Sequence, residues 1–138
     1  MPSLIRSNTG ASGWTNSQQF TTSGNFTVPA GVTKVGVRMI GGGGSVTSGT
    51  ADSGKFLEVE AMAVTPGATM PVVVGAAGAS ANAGGASTFG GRVAAGGIGG
   101  IEMVETMPGY GVGIGAFGRG SRLGANVPAQ PGVVEIYW

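Results

Sequence analysis

The sequence predicts an all-β protein, an antiparallel β-sandwich with glycine-rich loops and little or no helix. Short stretches in which apolar and polar residues alternate recur along the chain, and turns containing glycine or proline separate them. No segment places apolar residues at the i, i+3, i+4, i+7 spacing of an amphipathic helix. Many short strands joined by such turns are typical of a β-sandwich or barrel.

The clearest pair of strands lies in residues 23–44. A short strand around Phe26 leads to a Pro-Ala-Gly turn, where Pro29 has a fixed φ and Gly31 can adopt a positive one. In residues 33–39, strict alternation predicts a half-buried strand that ends at a run of four glycines. Its two faces carry Val35, Val37 and Met39 on one side and Lys34, Gly36 and Arg38 on the other.

The remaining strands are shorter, and turn residues set their limits. The continuous apolar run 70–74 predicts a buried strand, and Pro71 within it indicates a strand start or a sheet edge. Two short strands joined at Gly90-Gly91 predict a hairpin. The further strands are expected around 18–21, 55–65 and 133–138.

The length of 138 residues fits one domain, which we place at residues 14–138. Residues 1–13 are polar apart from Leu4 and Ile5, so we expect an N-terminal arm in which these two residues dock on a partner.

The glycine blocks leave two alternatives open. In residues 109–115, alternation with glycine favours a strand over a polyglycine-type extended helix.

Glycine is unusually abundant, with 30 residues. Each interior glycine costs about 0.5–1 kcal/mol relative to alanine, and the sum is comparable to the whole stability of a domain, about 5–15 kcal/mol. Something must offset this cost. The candidates are close backbone packing that only glycine permits and burial against other subunits.

Composition excludes several classes of function. A net charge of +1 with 9% charged residues argues against binding nucleic acid through its phosphates. The chain has neither cysteine nor histidine, so we expect no disulfide, metal or cofactor site. We find no signal peptide and no apolar run long enough to span a membrane, and therefore expect a protein made in a cytoplasm without membrane insertion.

Two glycine motifs resemble nucleotide-binding loops, but their context argues against that function. Residues 49–55 fit G-x-x-x-x-G-K, yet Phe56 follows where a phosphate loop needs Ser or Thr and a helix. Residues 113–118 fit G-x-G-x-x-G, a match expected by chance in so glycine-rich a chain, and no βαβ unit surrounds it.

The side chains able to carry chemistry are few. Glu58 and Glu60 share one face of a strand, as a hydrolase pair could, but we expect a solvated face. Glu102 and Glu105 lie in the second glycine block. That block also holds four candidates for contact with a saccharide or a protein loop, because aromatic and arginine side chains on loops make good binding residues. They are Tyr110, Phe117, Arg119 and Arg122; as an alternative, the aromatics fill the core and the arginines face solvent.

The segment F-T-V-P-A-G-V-T-K-V-G-V-R-M-I-G-G-G-G resembles the start of the glycine-rich domain of bacteriophage tail and tail-fibre proteins. Later pieces follow in the same order: V-T-P-G, V-V-V-G-A-A-G, G-G-A-S-T-F-G and the closing P-G-V-V-E-I-Y-W. The resemblance covers residues 19–138. It is specific for the fold more than for the function, since such domains are defined by their scaffold.

The resemblance implies a virion protein of the distal tail or fibre. It implies no enzyme activity, a homotrimer, contacts with other phage tail proteins, and binding to a host-surface receptor, either a saccharide or an outer-membrane protein. A structural fibre or baseplate connector is the alternative. A small polysaccharide depolymerase that uses Glu58, or Glu102 with Glu105, is a third and weaker hypothesis.

Overall fold

The computed structural model describes residues 14–45, 53–79, 82–98 and 129–138. These ranges contain eight β-strands and no helix. The strands are β1 (Ser17–Phe20), β2 (Gly24–Thr27), β3 (Lys34–Ile40), β4 (Phe56–Ala63), β5 (Thr69–Val73), β6 (Ser87–Phe89), β7 (Arg92–Ala94) and β8 (Val133–Tyr137).

The strands form two four-stranded antiparallel sheets. Sheet 1 has the order β1-β8-β3-β4 and sheet 2 has the order β2-β5-β6-β7. Side chains of both sheets meet in one apolar core, which confirms the predicted all-β sandwich. The buried core residues are Phe26, Val28, Val35, Val37, Met39, Val72, Phe89, Ala94, Val134 and Ile136.

Backbone angles confirm the predicted turns at Gly31 and at Gly90-Gly91. Gly31 has a φ of 80°, and Gly67, in the turn that follows β4, has a φ of 83°. Gly90 and Gly91, with φ values of 59° and 81°, form the hairpin turn between β6 and β7. A two-residue hairpin turn of this kind needs positive φ at both positions, which glycine adopts without steric cost.

A β-bulge interrupts the alternation of β4. Val35 pairs with Met62, whereas Val37 pairs with Val59, so two residues of β4 lie opposite Gly36. The bulge shifts the phase of the strand, and Met62 therefore packs against the core. Without the bulge, strict alternation through this strand would place Met62 on the opposite face, with Glu58 and Glu60.

The predicted edge position and burial of β5 and the predicted half-burial of β3 were wrong. The strand β5 is not an edge strand, because it lies between β2 and β6, and only Val72 is buried in it. Pro71 is tolerated there because β6 pairs only with Val72 and Val73, so the ladder on that side does not reach Pro71. The strand β3 is not half-buried, since every residue from Val35 to Ile40 is buried.

The connections between strands divide the molecule into two ends. At one end, the short turns 28–33, 64–68 and 90–91 lie near the N-terminal described residues, and Thr15 and Asn16 donate backbone hydrogen bonds to Trp138. At the opposite end, three long connections leave the sheets: 41–55, 74–86 and 95–132. We call the latter the glycine end.

Candidate functional site

Six glycine-rich segments pack together at the glycine end, and none of them is part of a strand or helix. We call this group the glycine bundle: residues 41–45, 53–55, 75–79, 82–86, 95–98 and 130–132.

The segment 41–45 is the centre of the glycine bundle, because it exchanges backbone hydrogen bonds with all five other segments. Gly42 donates to Gly85 at 2.8 Å and accepts from Gly97 at 2.8 Å, and Gly43 donates to Gln130 at 2.9 Å and accepts from Gly78 at 2.8 Å. A strand in a sheet pairs with at most two neighbours. The described glycine segments therefore form a bundle rather than a sheet.

Glycine is required in the bundle because backbone packs directly on backbone. A Cβ atom built on Gly42 would lie closer than 3.0 Å to the carbonyl oxygen of Ala76, and one on Gly54 would meet that of Gly41 in the same way. Real Cβ atoms essentially never approach so closely. Of the two candidate offsets for the cost of glycine, close backbone packing is present within a single chain.

Residues that border three further segments of the chain, 46–52, 80–81 and 99–128, lie together in the bundle. We call these bordering residues the stems of the three segments. Ser45, which precedes residues 46–52, donates its backbone N–H to the carbonyl of Asn82 at 2.9 Å, and Asn82 follows residues 80–81. Gly44 packs against the carbonyl group of Ile98, the residue before 99–128. The glycine end therefore holds these stems at one place.

The residues predicted to contact a receptor lie outside the described residues. Tyr110, Phe117, Arg119 and Arg122, together with Glu102 and Glu105, belong to the range 99–128 that follows Ile98. The docking-arm residues Leu4 and Ile5 belong to the range 1–13, and the alternating segment 109–115 is likewise outside. These assignments stay predictions from the sequence.

Ser87 joins the bundle to both sheets. Its side chain is fully buried. The hydroxyl donates to the carbonyl of Ile40, at the end of β3, at 2.7 Å. It accepts a hydrogen bond from the backbone N–H of Gly75 at 3.0 Å. Sequence reasoning missed this role because the partners Ile40 and Gly75 lie 47 and 12 residues away in the sequence.

A buried polar cluster crosses the outer face of sheet 1. Arg38 Nη1 donates to the hydroxyl of Tyr137 at 3.2 Å and lies 3.8 Å from Glu135 Oε1. The Tyr137 hydroxyl donates to Glu135 Oε1 at 2.5 Å, and Gln19 Nε2 donates to Glu135 Oε2 at 2.6 Å. Side chains of Arg38 and Glu135 are 1% and 5% exposed, so this ion pair is removed from solvent.

The cluster perturbs the protonation of one of its members. Burial raises the pKa of Tyr137 well above its usual range, and the hydrogen bond to the Glu135 carboxylate raises it further. Tyr137 thus stays a hydroxyl donor at neutral pH and links Arg38 to Glu135. Cross-strand pairing aligns Arg38 with both Glu135 and Glu58. Because the cluster is buried, it offers no surface for a ligand, and we assign it a structural role.

Among the described carboxylates, Glu58 and Glu60 lie on an exposed strand surface. Both belong to β4, and their exposure is the one expected for a solvated face. No group of three or more side chains suited to a metal ion occurs among the described residues. The phosphate-loop motif also fails in its described part, because Gly54 and Lys55 lead directly into β4 rather than into a helix.

Neither a scan against protein-family models nor a search among curated proteins finds a match for this chain. In the described part of the chain, no helix is long and apolar enough to cross a membrane.

Proposed function

We propose that this protein is a non-enzymatic bacteriophage tail protein that binds a host-cell receptor from the distal tail or fibre. The order of sequence pieces shared with the glycine-rich domain of phage tail proteins supports this proposal. The structural observation that carries it is the two-ended layout of the sandwich. The N-terminal described residues lie at one end, and the stems of three segments meet at the other.

A rigid platform suits a receptor-binding protein, because loops held by a rigid scaffold lose less conformational entropy on binding. The glycine bundle has the properties of such a platform, since its segments are fixed to one another by backbone hydrogen bonds. We propose that the segment 99–128 contacts the receptor through Tyr110, Phe117, Arg119 and Arg122. The receptor is a host-surface saccharide or outer-membrane protein.

The attachment to the tail is proposed at the opposite end. Trp14 packs on Gly36, where a Cβ atom would approach the indole Nε1 at 2.8 Å. Thr15 and Asn16 pair with Trp138. Residues 14–16 are therefore anchored at this end, and we propose that Leu4 and Ile5 dock on a neighbouring tail protein.

The resemblance also implies a homotrimer, in which glycine faces packed between subunits would offset the cost of glycine. The described bundle glycines pack within one chain, so their cost gives no argument for a trimer. The trimer therefore rests on the resemblance alone, and the mass of the purified protein tests it.

The experiment is adsorption of purified, labelled protein to intact bacteria of candidate host strains. We expect saturable binding that Tyr110→Ala, Arg119→Ala and Arg122→Ala weaken, whereas Glu60→Gln, at an exposed position of β4, leaves it unchanged. Deletion of residues 1–13 should remove the protein from virions but preserve its binding to cells. Presence in virions without any binding to cells would instead support the structural connector.

A further inference from the structure

The outer face of sheet 1 is as thoroughly buried as the core. Side chains alternate along a strand, and Val37 of β3 and Val134 of β8 belong to the core. Arg38, Glu135 and the residues two positions from them therefore face outward. Five of these outward-facing residues are only 0–3% exposed: Arg38, Ile40, Val133, Glu135 and Tyr137. Because a two-layer sandwich leaves the outer face of each sheet to solvent, their burial requires a further layer.

Sheet 2 has the same number of strands, but residues on its outer face are exposed. Val73 of β5 and Val93 of β7 point away from the core and are 44% and 58% exposed. Neighbouring side chains in a sheet stand side by side, so they cannot alone bring the exposure of Arg38 or Ile40 close to zero. The burial is present in a single chain, and we infer that another part of the same chain lies on β3 and β8.

Two described aromatic side chains border the buried area on opposite sides. The indole of Trp14 lies over Gly36, where a Cβ atom would approach its Nε1 at 2.8 Å. The ring of Phe56 lies with its centre 6.0 Å from the guanidinium carbon of Arg38, and it packs against Ile40. The centre of the face, between these two rings, is left for another part of the chain to cover.

The segment 99–128 leaves and rejoins the described fold at one point of the glycine end. Gly97 donates its N–H to the carbonyl of Gly42 at 2.8 Å, and the N–H of Gly43 donates to the carbonyl of Gln130 at 2.9 Å. The carbonyl of Gly42 and the N–H of Gly43 belong to one peptide unit, so the two ends of the segment lie close together. From there the chain runs directly into β8, one of the two buried strands.

We propose that the segment 99–128 packs on the outer face of sheet 1 and covers the buried parts of β3 and β8. The segment is long enough to run along the seven residues of β3 and return. It also carries apolar residues suited to cover Ile40 and Val133, and four of them lie near its start: Ile101, Met103, Val104 and Met107. The sandwich thus has a third layer on one side only.

Other stretches of the chain fit this face less well. The segment 46–52 is much shorter, and residues 80–81 belong to a connection between two strands of sheet 2. The arm 1–13 is the remaining alternative, because Trp14, which follows it, lies on this face. Its Leu4 and Ile5 are already proposed to dock on a neighbouring tail protein. The packing of 99–128 on sheet 1 does not depend on receptor binding, so its test and the adsorption to cells can fail independently.

Photo-crosslinking tests this packing in the full-length protein. A benzophenone amino acid in place of Glu58 lies on the outer face of sheet 1, because Glu58 pairs with Arg38, and the exposed position should tolerate it. The same group in place of Thr88, on the outer face of sheet 2, is the matched control. We expect cross-links to residues 99–128 within one chain to form at least about tenfold more efficiently from position 58 than from position 88, because packing raises the effective concentration. Cross-links from position 58 to residues 1–13 instead, or equal yields from the two positions, would overturn the proposal.

Thiol labelling provides a second measurement, because the chain has no cysteine of its own. Ile40→Cys places a thiol on the outer face of sheet 1, and Val72→Cys places one between the sheets as the control. Both native side chains are buried, so both thiols should react slowly with iodoacetamide. Residues 99–128 are then replaced by a short Gly-Ser linker, which the adjacent positions of Gly97 and Gln130 permit.

In the shortened variant, Ile40→Cys should react at least about tenfold faster than in the full-length protein, because its local protection is lost, whereas Val72→Cys should stay protected. Deletion of residues 1–13 should leave both thiols protected. An Ile40→Cys thiol that stays protected without residues 99–128, or that the deletion of 1–13 exposes, would contradict the proposal. Circular dichroism verifies that the shortened variant is folded, and if it is not, the cross-links decide.

Discussion

Gly42 lies against the carbonyl group of Ala76 so closely that a Cβ atom on Gly42 would come within 3.0 Å of the oxygen. The Ala76 oxygen belongs to the backbone and a Cβ atom is bonded directly to it, so no change of rotamer could relieve the contact. Gly42 also exchanges backbone hydrogen bonds with Gly85 and Gly97. The contact explains why the chain accepts the entropic cost of so much glycine, because a larger residue would separate the segments of the bundle.

Gly42→Ala is therefore expected to destabilise the protein by about 3 kcal/mol or more, at the upper end of the range for overpacking. Gly24→Ala is the matched control, since its Cβ would make only ordinary contact with the Phe20 ring at 3.7 Å. That control should be neutral or stabilising by up to about 1 kcal/mol. Urea unfolding of both variants measures the difference, and equal stabilities would show that the bundle is not closely packed.

Ser87→Ala should cost about 1–3 kcal/mol, because the substitution leaves the carbonyl of Ile40 and the N–H of Gly75 buried without this partner. Thr88→Ala, at the adjacent residue on the outer face of sheet 2, serves as the control and should cost less. Chemical unfolding distinguishes the two, and a Ser87 variant as stable as the wild type would mean that water or another group replaces the hydroxyl.

Glu135→Gln is expected to cost about 3–5 kcal/mol, since it leaves the buried Arg38 charge without its carboxylate. Glu60→Gln changes an exposed glutamate on the same sheet and should alter stability by less than about 0.5 kcal/mol. The free energies of unfolding of the two variants test this contrast. Similar free energies of unfolding would indicate that the Glu135 carboxylate is hydrated in the folded protein and that its ion pair with Arg38 contributes little.

Alkaline pH should destabilise the protein through Tyr137. Its pKa is raised in the folded state by burial and by the Glu135 hydrogen bond, so the unfolded chain loses this proton first. The stabilisation is complete below the ordinary tyrosine pKa of about 10 and is lost as the pH rises above it towards the folded-state value. Thermal unfolding between about pH 9 and pH 11.5 should show a shallower decline in Tyr137→Phe. An identical decline would assign the effect to other groups.

Local patterns in the sequence were sufficient to predict much of the fold. Alternation located the strands, and turn chemistry predicted the positive φ of Gly31 and the hairpin turn at Gly90-Gly91. The burial of β3 and β8 could not be predicted in this way, because it depends on what covers the outer face of a sheet. Arg38 therefore looked like a solvent-facing residue, although Glu135 and Tyr137 hold it in a buried cluster.

The glycine bundle was only partly predictable. Composition showed that the cost of glycine had to be offset, but the hydrogen bonds of the bundle connect residues far apart in sequence, such as Gly43 with Gln130. No local period encodes such contacts. The role of Ser87 has the same origin, since Ile40, at the end of β3, and Gly75, in the bundle, are both distant from it in the sequence.

The most direct test of the proposed receptor binding is competition between the purified protein and a phage whose tail carries it. Host cells are incubated with increasing amounts of protein, and the rate of phage adsorption is then measured. Receptor binding predicts a saturable decrease in adsorption, which Arg119→Ala with Arg122→Ala weakens and Glu60→Gln does not. Unchanged adsorption at protein concentrations that saturate the cell surface would contradict the proposal.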